Sequence, residues 1–452
     1  MKEISEASRK VPVIAETDVL VVGSGPGGLS AAISSARAGV ETMLVERYGC
    51  FGGNLTNVGV EGIAWYRHPK TVDLEGIGIE IEERAKAQNA SYDEPQSSSQ
   101  GIKSELFKVL ADDWVQEAGI RPLLHATAVD VIRDGNAVTG IVVQSKSGRQ
   151  AILSKRIIDA TGDADIVKMA AAPVRKTPKE EMMAVTVMFS CSGVDKARFL
   201  DYVRENPMNY RDWGHEWGIK TDGKEDQLFS PYLDEPFEKA RKKGLIPPTL
   251  KSIGGTWSGI SDSGDATYLN MVHMSGYDGT DVWDLTRAEI EGRRQAILAI
   301  KALQEFAPGF EKADLRNFGM TLGIRDTHKI IGRYNLTEED VRNQARFDDA
   351  IGIFPEFIDG YGLLILPTTG RYYHIPYGAL VPKEVDNLLV AGRSIAGDKI
   401  SHASVRNMMC CAVSGQGAGV AAAISLKCGV TTAEVKIGFI QAELKRQGVR
   451  FQ

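Results

Sequence analysis

Apolar positions near the start of the chain fall into two rhythms. Residues 17–23, TDVLVVG, form a short Val- and Leu-rich run ended by glycine, the pattern of a buried parallel strand. Residues 26–39 carry Ala and Ser on one side and stop at Gly39, which predicts a helix. Residues 41–46, ETMLVE, predict a second strand, so the three segments make a βαβ unit. A helical period returns over 102–118. From about 121 to 160 the period becomes two, in LLHATAVDVIRD, AVTGIVVQS and QAILSKRIIDATG, with Asp134-Gly135-Asn136 as a hairpin turn.

The pattern changes again over 166–385, which holds four of the six tryptophans and loops rich in Gly, Pro and Asp around 205–265. This stretch opens with a predicted strand at 183–191, MAVTVMFSC, and closes near Tyr373 to Leu380. It reads as an inserted domain. Residues 386–426 return to the first style, with DNLLVAG as a buried strand and an Ala- and Gly-rich helix from about Ser404 to Lys427.

Composition narrows the functional classes. A chain of 452 residues exceeds one compact domain. Its 43% hydrophobic and 25% charged content suits a globular protein with a large core. A net charge of −6 disfavours a general nucleic-acid binder. No run of eighteen or more apolar residues is evident, so no membrane span is expected. The polar start, MKEISEASRK, is followed by no apolar signal-peptide core. The five cysteines (Cys50, Cys191, Cys410, Cys411, Cys428) are odd in number and form no CxxC pair. That pattern disfavours disulfides and a metal centre and fits a reducing, cytoplasmic setting.

The loop Gly23-Ser24-Gly25-Pro26-Gly27-Gly28 satisfies GxGxxG between a predicted strand and a predicted helix, and Glu46-Arg47 ends the next strand about twenty residues on. Gly23 permits the tight turn, Gly25 lets backbone approach a pyrophosphate, and Gly28 lets helix and strand pack closely. The helix N-terminus offers free N–H groups and a positive dipole end to phosphates, and Glu46 can accept from ribose hydroxyls. Only one such loop occurs. Gly415-Gln416-Gly417-Ala418-Gly419 lies inside a helical run and reads as a packing face. One loop points to FAD with no separate NAD(P)H domain.

From these residues onward the chain resembles the FAD-dependent oxidoreductases of the glutathione-reductase structural class. Disulfide reductases of that class carry GGTCVNVGC beside the flavin. Here Gly52-Gly53-Asn54-Leu55-Thr56-Asn57-Val58-Gly59-Val60 keeps the glycines and Asn-Val-Gly but has Leu55 and Val60 at the cysteine positions. The resemblance therefore implies the cofactor scaffold without the dithiol relay. It places Ala128 near the adenine, and Ala160-Thr161-Gly162, Gly392 and Arg393 along the FAD, with Gly52, Gly53, Asn54 and Thr56 in the following loop. Gly323-Ile324-Arg325-Asp326-Thr327-His328, Ile331-Gly332-Arg333-Tyr334, His374-Ile375-Pro376-Tyr377-Gly378 and Ser404-Val405-Arg406 look like a broad FAD-dependent oxidoreductase family. Asp326 stands where that family commonly has Glu, His328 where Arg is common, and Arg393 where the wider class often has an acid. The implied fold is α/β. A Rossmann-like FAD-binding domain, parallel sheet plus β-meander, spans 1–165 and 386–452, and an inserted α+β substrate or cap domain spans 166–385.

A flavin enzyme needs a hydride path to N5, a partner for charge near N1 and O2, and usually an acid or base. The helix expected at Ser404 would supply the second, capped by Ser401 or Ser404. For proton transfer, His374 is expected to face the interdomain cleft and His402 to precede that helix. His328, His68, His215 and His273 are further candidates, and His125 reads as structural. His68 and Tyr66 are conceivable points for covalent flavin attachment, with no motif behind them. Arg325 and Arg406 are expected to hold a polar or anionic substrate, the flavin, or the domains together. Of Tyr372 and Tyr373, strand alternation lets only one point inward. The reading is a dehydrogenase passing hydride between a small organic substrate and the flavin, with an unidentified electron acceptor and scope for a homo-oligomer. The rivals are a fumarate-reductase-like reductase of activated C=C bonds, using Arg325 or Arg406 as the acid, and an electron-transfer subunit.

Overall fold

The computed structural model describes all residues except 1, 2, 6, 64, 67–72, 95–98, 207–217, 221–231 and 368. His68 and His215 lie outside the described residues.

The first sheet is built by β1 (Val13–Val22), β2 (Thr42–Val45), β3 (Arg121–Leu123), β4 (Thr127–Asp134), β5 (Ala137–Ser145) and β6 (Gly148–Asp159), in the order β3-β2-β1-β6-β5-β4. A seventh strand, β11 (Leu388–Val390), runs parallel to the end of β6. The strands β3, β2, β1 and β6 are parallel, and β4 to β6 form the antiparallel meander. All four β2 residues are buried, as a strand covered on both faces requires. The hairpin turn lies where expected: Asp134 pairs with Ala137, and Gly135 takes φ +57°, as a two-residue primed turn demands.

Helix α1 (Pro26–Arg37) follows β1, and α2 (Ser104–Glu117) precedes β3. The expected helix at Ser404 is two helices, α4 (Lys399–Val405) and α5 (Met408–Cys428), broken where Asn407 takes an extended conformation. Helix α5 is long and apolar enough to cross a membrane by length and composition, although Ser414 and Gln416 interrupt its apolar run. It is buried in the protein, crossing α1 so closely that a Cβ on Gly415 would sit 2.0 Å from the Gly27 carbonyl. The glycines of this run are thus a packing face.

The hydrophobic core divides in two. One cluster takes the first sheet, α1, α2 and α5. The other takes residues from Val185 to Ile324, around an antiparallel sheet of β7 (Phe189–Ser192), β8 (Ile253–Thr256), β9 (Ala266–Met274) and β10 (Asp314–Phe318), with α3 (Val282–Phe306) against it. The expected strand at 183–191 is split into Val185–Thr186 and β7. Residues 330–385 pack with the first cluster, so the inserted core ends some sixty residues before the expected boundary at 385. Ile330, Phe354, Tyr373 and Leu380 are all buried there.

Candidate functional site: a glycine-lined groove opening into an arginine-bearing cleft

Parallel strands end together, and their loops therefore meet. Val22 is level with Val45 and with Asp159, so the loops after β1, β2 and β6 converge at one edge, the place where open α/β sheets bind ligands. Gly23 sits at φ +98°, and a Cβ there would lie 2.3 Å from the Ala160 carbonyl. A Cβ on Gly28 would lie 1.8 Å from the Gly23 carbonyl, so strand and helix touch through backbone alone. Gly27 leaves room for Gly392, whose N–H donates to Ser414 Oγ at 2.9 Å.

Gly25 differs. It is the N-cap of α1, in an extended conformation open to any residue, and a Cβ on it would meet nothing closer than Gly53 Cα at 4.0 Å. Its free side faces the groove. Gly53, at φ +55°, backs onto Gly25 at a distance no side chain would permit, and the Gly52 N–H donates to the Ser24 carbonyl at 2.9 Å. The two glycine loops therefore fit against each other and leave a backbone-lined channel beside the α1 N-terminus.

Arg47, Asn54, Ala128, Ala160, Thr161, Gly162 and Arg393 all line this channel. Glu46 Oε2 accepts from Ser24 N at 2.9 Å and Ser24 Oγ at 2.6 Å, while Oε1 accepts from Tyr48 N at 3.0 Å. A carboxylate has about four lone-pair positions, which leaves one for a ribose hydroxyl. Three buried donors among the groove residues lack protein partners, Asn57 Nδ2, Arg393 Nε and Arg406 Nε. The rest of Arg393 is held by Asp163 Oδ1 at 2.5 Å and the Ile324 carbonyl at 2.8 Å. Burial, then Asp163 and Asp159, push the Asp165 carboxyl up to about 7 at the groove wall. Channel, acid and unpartnered donors together fit an extended FAD. The adenine end would lie by Ala128 and the ribose by Glu46.

The groove opens into a cleft of about 530 Å³ between the two cores. Asn54, Ile324, Arg406 and Met408 line both spaces. The first turn of α5, whose N–H groups have no acceptor within the helix, begins there. Arg325 donates to the Ala184 carbonyl at 2.9 Å, and Arg406 is paired with Asp359 at 3.0 Å. Burial and the neighbouring Arg406 push the Arg325 guanidinium down to about 10. From the second core, Thr186 Oγ1 and His273 Nε2 each lie 2.8 Å from Asn270 Oδ1, and burial and Arg325 push the His273 ring down to about 3. Trp65, Tyr268 and Tyr361 line the cleft with φ of +69°, +56° and +53°. Three aromatic residues in left-handed backbone at one cavity mark a place where position is held at a cost of about 1–3 kcal/mol each. Tyr361 donates to Asp326 Oδ2 at 2.6 Å, and Asp326 pairs with buried Lys329 at 2.5 Å.

Several expected site residues lie elsewhere. His374 is bonded at Nδ1 by the Phe347 N–H at 3.1 Å and at Nε2 to the Phe451 carbonyl at 3.0 Å, so its side of the strand faces the C-terminal tail and not the cleft. His402 is buried in α4 and bonded to the Arg325 carbonyl at 2.9 Å, behind the cleft wall. Burial and Lys329 push its ring down, which keeps it uncharged. Ser404 caps nothing. It lies within α4 with its Oγ 2.7 Å from Tyr373 Oη, and Ser401 is likewise inside α4. Thr56 donates to the Phe51 carbonyl at 2.6 Å and faces a separate cavity, so it shapes the loop without reaching the groove. His328 is buried against the Asp163 carbonyl at 3.2 Å. Sequence reasoning missed Asn57, Asp163, Asn270, Asp359 and Tyr361. Asn57 and Asp163 carried local signals, Asn57 as the first residue of the kept Asn-Val-Gly and Asp163 by following Ala160-Thr161-Gly162 directly.

A family model described as FAD dependent oxidoreductase matches residues 18–444. A thiamine thiazole synthase from Saccharolobus islandicus is 31% identical over 175 residues, which is 36% of this chain and 61% of that protein. A second, from Metallosphaera sedula, is 32% identical over 183 residues, 36% of this chain and 59% of that protein. The chain thus spans less than two thirds of these relatives. Among solved structures, a myxobacterial chondrochloren halogenase aligns at a TM-score of 0.48 and 11% identity, covering 96% of this chain and 79% of the halogenase. A geranylgeranyl bacteriochlorophyll reductase-like protein from Thermoplasma acidophilum aligns at 0.44 and 12%, covering 96% and 82%.

Proposed function

The chain belongs to the FAD dependent oxidoreductase family, and from that premise we propose that it is a dehydrogenase passing hydride between a small organic substrate and the flavin. The observation that carries this reading is the shared wall of groove and cleft at Asn54, Ile324, Arg406 and Met408. A substrate in the cleft would meet the cofactor only there. When bound, FAD accepts or returns a hydride at N5. The protein's own part is to hold and screen. The first turn of α5 and Arg406 present positive charge to whichever atoms gain electrons. Asn270 and neutral His273 offer hydrogen bonds to a reacting oxygen or nitrogen, and with its ring pushed down to about 3 His273 serves as a neutral hydrogen-bonding group and not as the base. Leu55 and Val60 leave no thiol pair in the loop behind the groove.

The experiment begins with the visible spectrum of the purified protein and identification of the flavin released by acid. Anaerobic mixing with alcohols, amines and saturated acids should then bleach the flavin with at least one donor. FAD-loaded protein that no small organic donor reduces, and that reduces no small organic acceptor, would sink the proposal.

A further inference from the structure

We infer that the substrate carries a carboxylate, received in the cleft by Arg325 with Arg406 beside it. This rests on the reading of the cleft as a substrate site. The charged groups lining the cleft are few. Glu181 pairs with Lys399 at 2.9 Å and Asp359 with Arg406 at 3.0 Å. Arg325 forms no salt bridge among the described residues, the one carboxylate acting on it, Asp359, is already paired with Arg406, and the Ala184 carbonyl takes one of its five donors. Arg406 Nε is buried with no acceptor. One guanidinium charge in a half-buried cavity therefore stands uncompensated, a costly arrangement unless a ligand completes it.

The chemistry of the missing anion follows from shape and charge. A guanidinium fork matches a planar carboxylate with two parallel hydrogen bonds. The excess is a single positive charge. A phosphate monoester, carrying about −1.5 to −2 at neutral pH, would overfill it beside Asp359. The remaining walls, including Trp65, Met183, Phe357 and Leu364, are apolar and suit a hydrocarbon or aromatic body. The cavity, at about 530 Å³, lies in the range of small-molecule sites.

The test uses FAD-loaded protein and reads the shift of the flavin band. Sodium benzoate, phenylacetate, butyrate and succinate are titrated at constant ionic strength against benzamide, phenylacetamide, butyramide and sulfate. At least one carboxylate should give a saturable shift with a dissociation constant tenfold or more below that of its amide and of sulfate. Arg325→Gln should bring acid and amide within threefold while FAD content stays at the parent level, and Arg325→Lys should restore part of the preference. If Arg325→Gln does not fold, the acid-to-amide ratio of the parent decides. Equal binding of acid and amide, sulfate binding as tightly as any carboxylate, a preference that survives Arg325→Gln, or no shift with the whole series would overturn the inference and leave the assignment of FAD chemistry standing. Protein that neither retains nor takes up FAD would instead remove the functional reading beneath it.

Discussion

Gly25→Ala separates folding from cofactor binding. Gly25 has φ −60° and ψ 179°, a conformation that alanine adopts freely, and the added methyl would find its nearest protein atom at 4.0 Å. At such a position the loss of unfolded-state freedom stabilises the protein by about 0.4–1 kcal/mol. The same methyl stands where the cofactor pyrophosphate must approach the α1 N-terminus. Losing two charge-assisted hydrogen bonds there, at roughly 1.5–3 kcal/mol each, costs about 3–6 kcal/mol, or a hundredfold or more in affinity. The apo-protein should melt at or slightly above the parent temperature, and fluorescence titration with FAD should show the weakened binding. Gly28→Ala provides the contrast, because its Cβ would fall 1.8 Å from the Gly23 carbonyl and the apo-protein itself should be destabilised. A Gly25→Ala protein that binds FAD within threefold of the parent, or that melts several degrees lower without FAD, would refute this account of the loop.

Three further outcomes test other parts of the structure. Asp165, raised to about 7 mainly by burial, holds its proton more tightly folded than unfolded, so its ionisation costs stability progressively from about pH 4 to 7. Asp165→Asn should leave stability in denaturant melts unchanged at pH 4 and raise it at pH 8, by a few kcal/mol at most; an equal effect at both pH values would contradict the buried setting. Lys329→Met strands the fully buried Asp326 and should cost about 3–5 kcal/mol in denaturant melts, with Asp326→Leu in the same chain recovering most of it. Cys50 is buried and its thiol pushed up by burial, so Cys50→Ala should leave turnover within twofold; abolished turnover would restore a thiol to the mechanism.

The cofactor groove was legible because its determinants are local. Gly23 and Gly28 answer contacts within the βαβ unit or with the adjoining strand end, Gly25 stays open beside the α1 N-terminus, and Glu46 lies one strand away, while Gly27 alone answers a distant contact, with Gly392 and Cys411. The cleft was legible only in part. Arg325 and Arg406 came from motif resemblance, but their shared cavity depends on Asn270, His273 and Thr186 arriving from a separate antiparallel sheet. His374 was misplaced for a related reason. Strand alternation gives two faces but does not say which one meets the cleft until the partner strand Ala350–Pro355 and the C-terminal tail are known. Ser404 failed on a boundary, because a single extended residue, Asn407, moved the helix start four positions. Arg393 shows the limit most clearly. In sequence it was a departure, a base where the wider class often keeps an acid, and it left that contact unexplained. In the structure the charge has a partner, since Asp163, 230 residues away, holds one end of the guanidinium. The buried, unbonded Nε remains among the groove residues. A donor thus occupies the place of an acceptor, so this flavin site would meet the polar chain of its cofactor from the opposite side of the hydrogen bond.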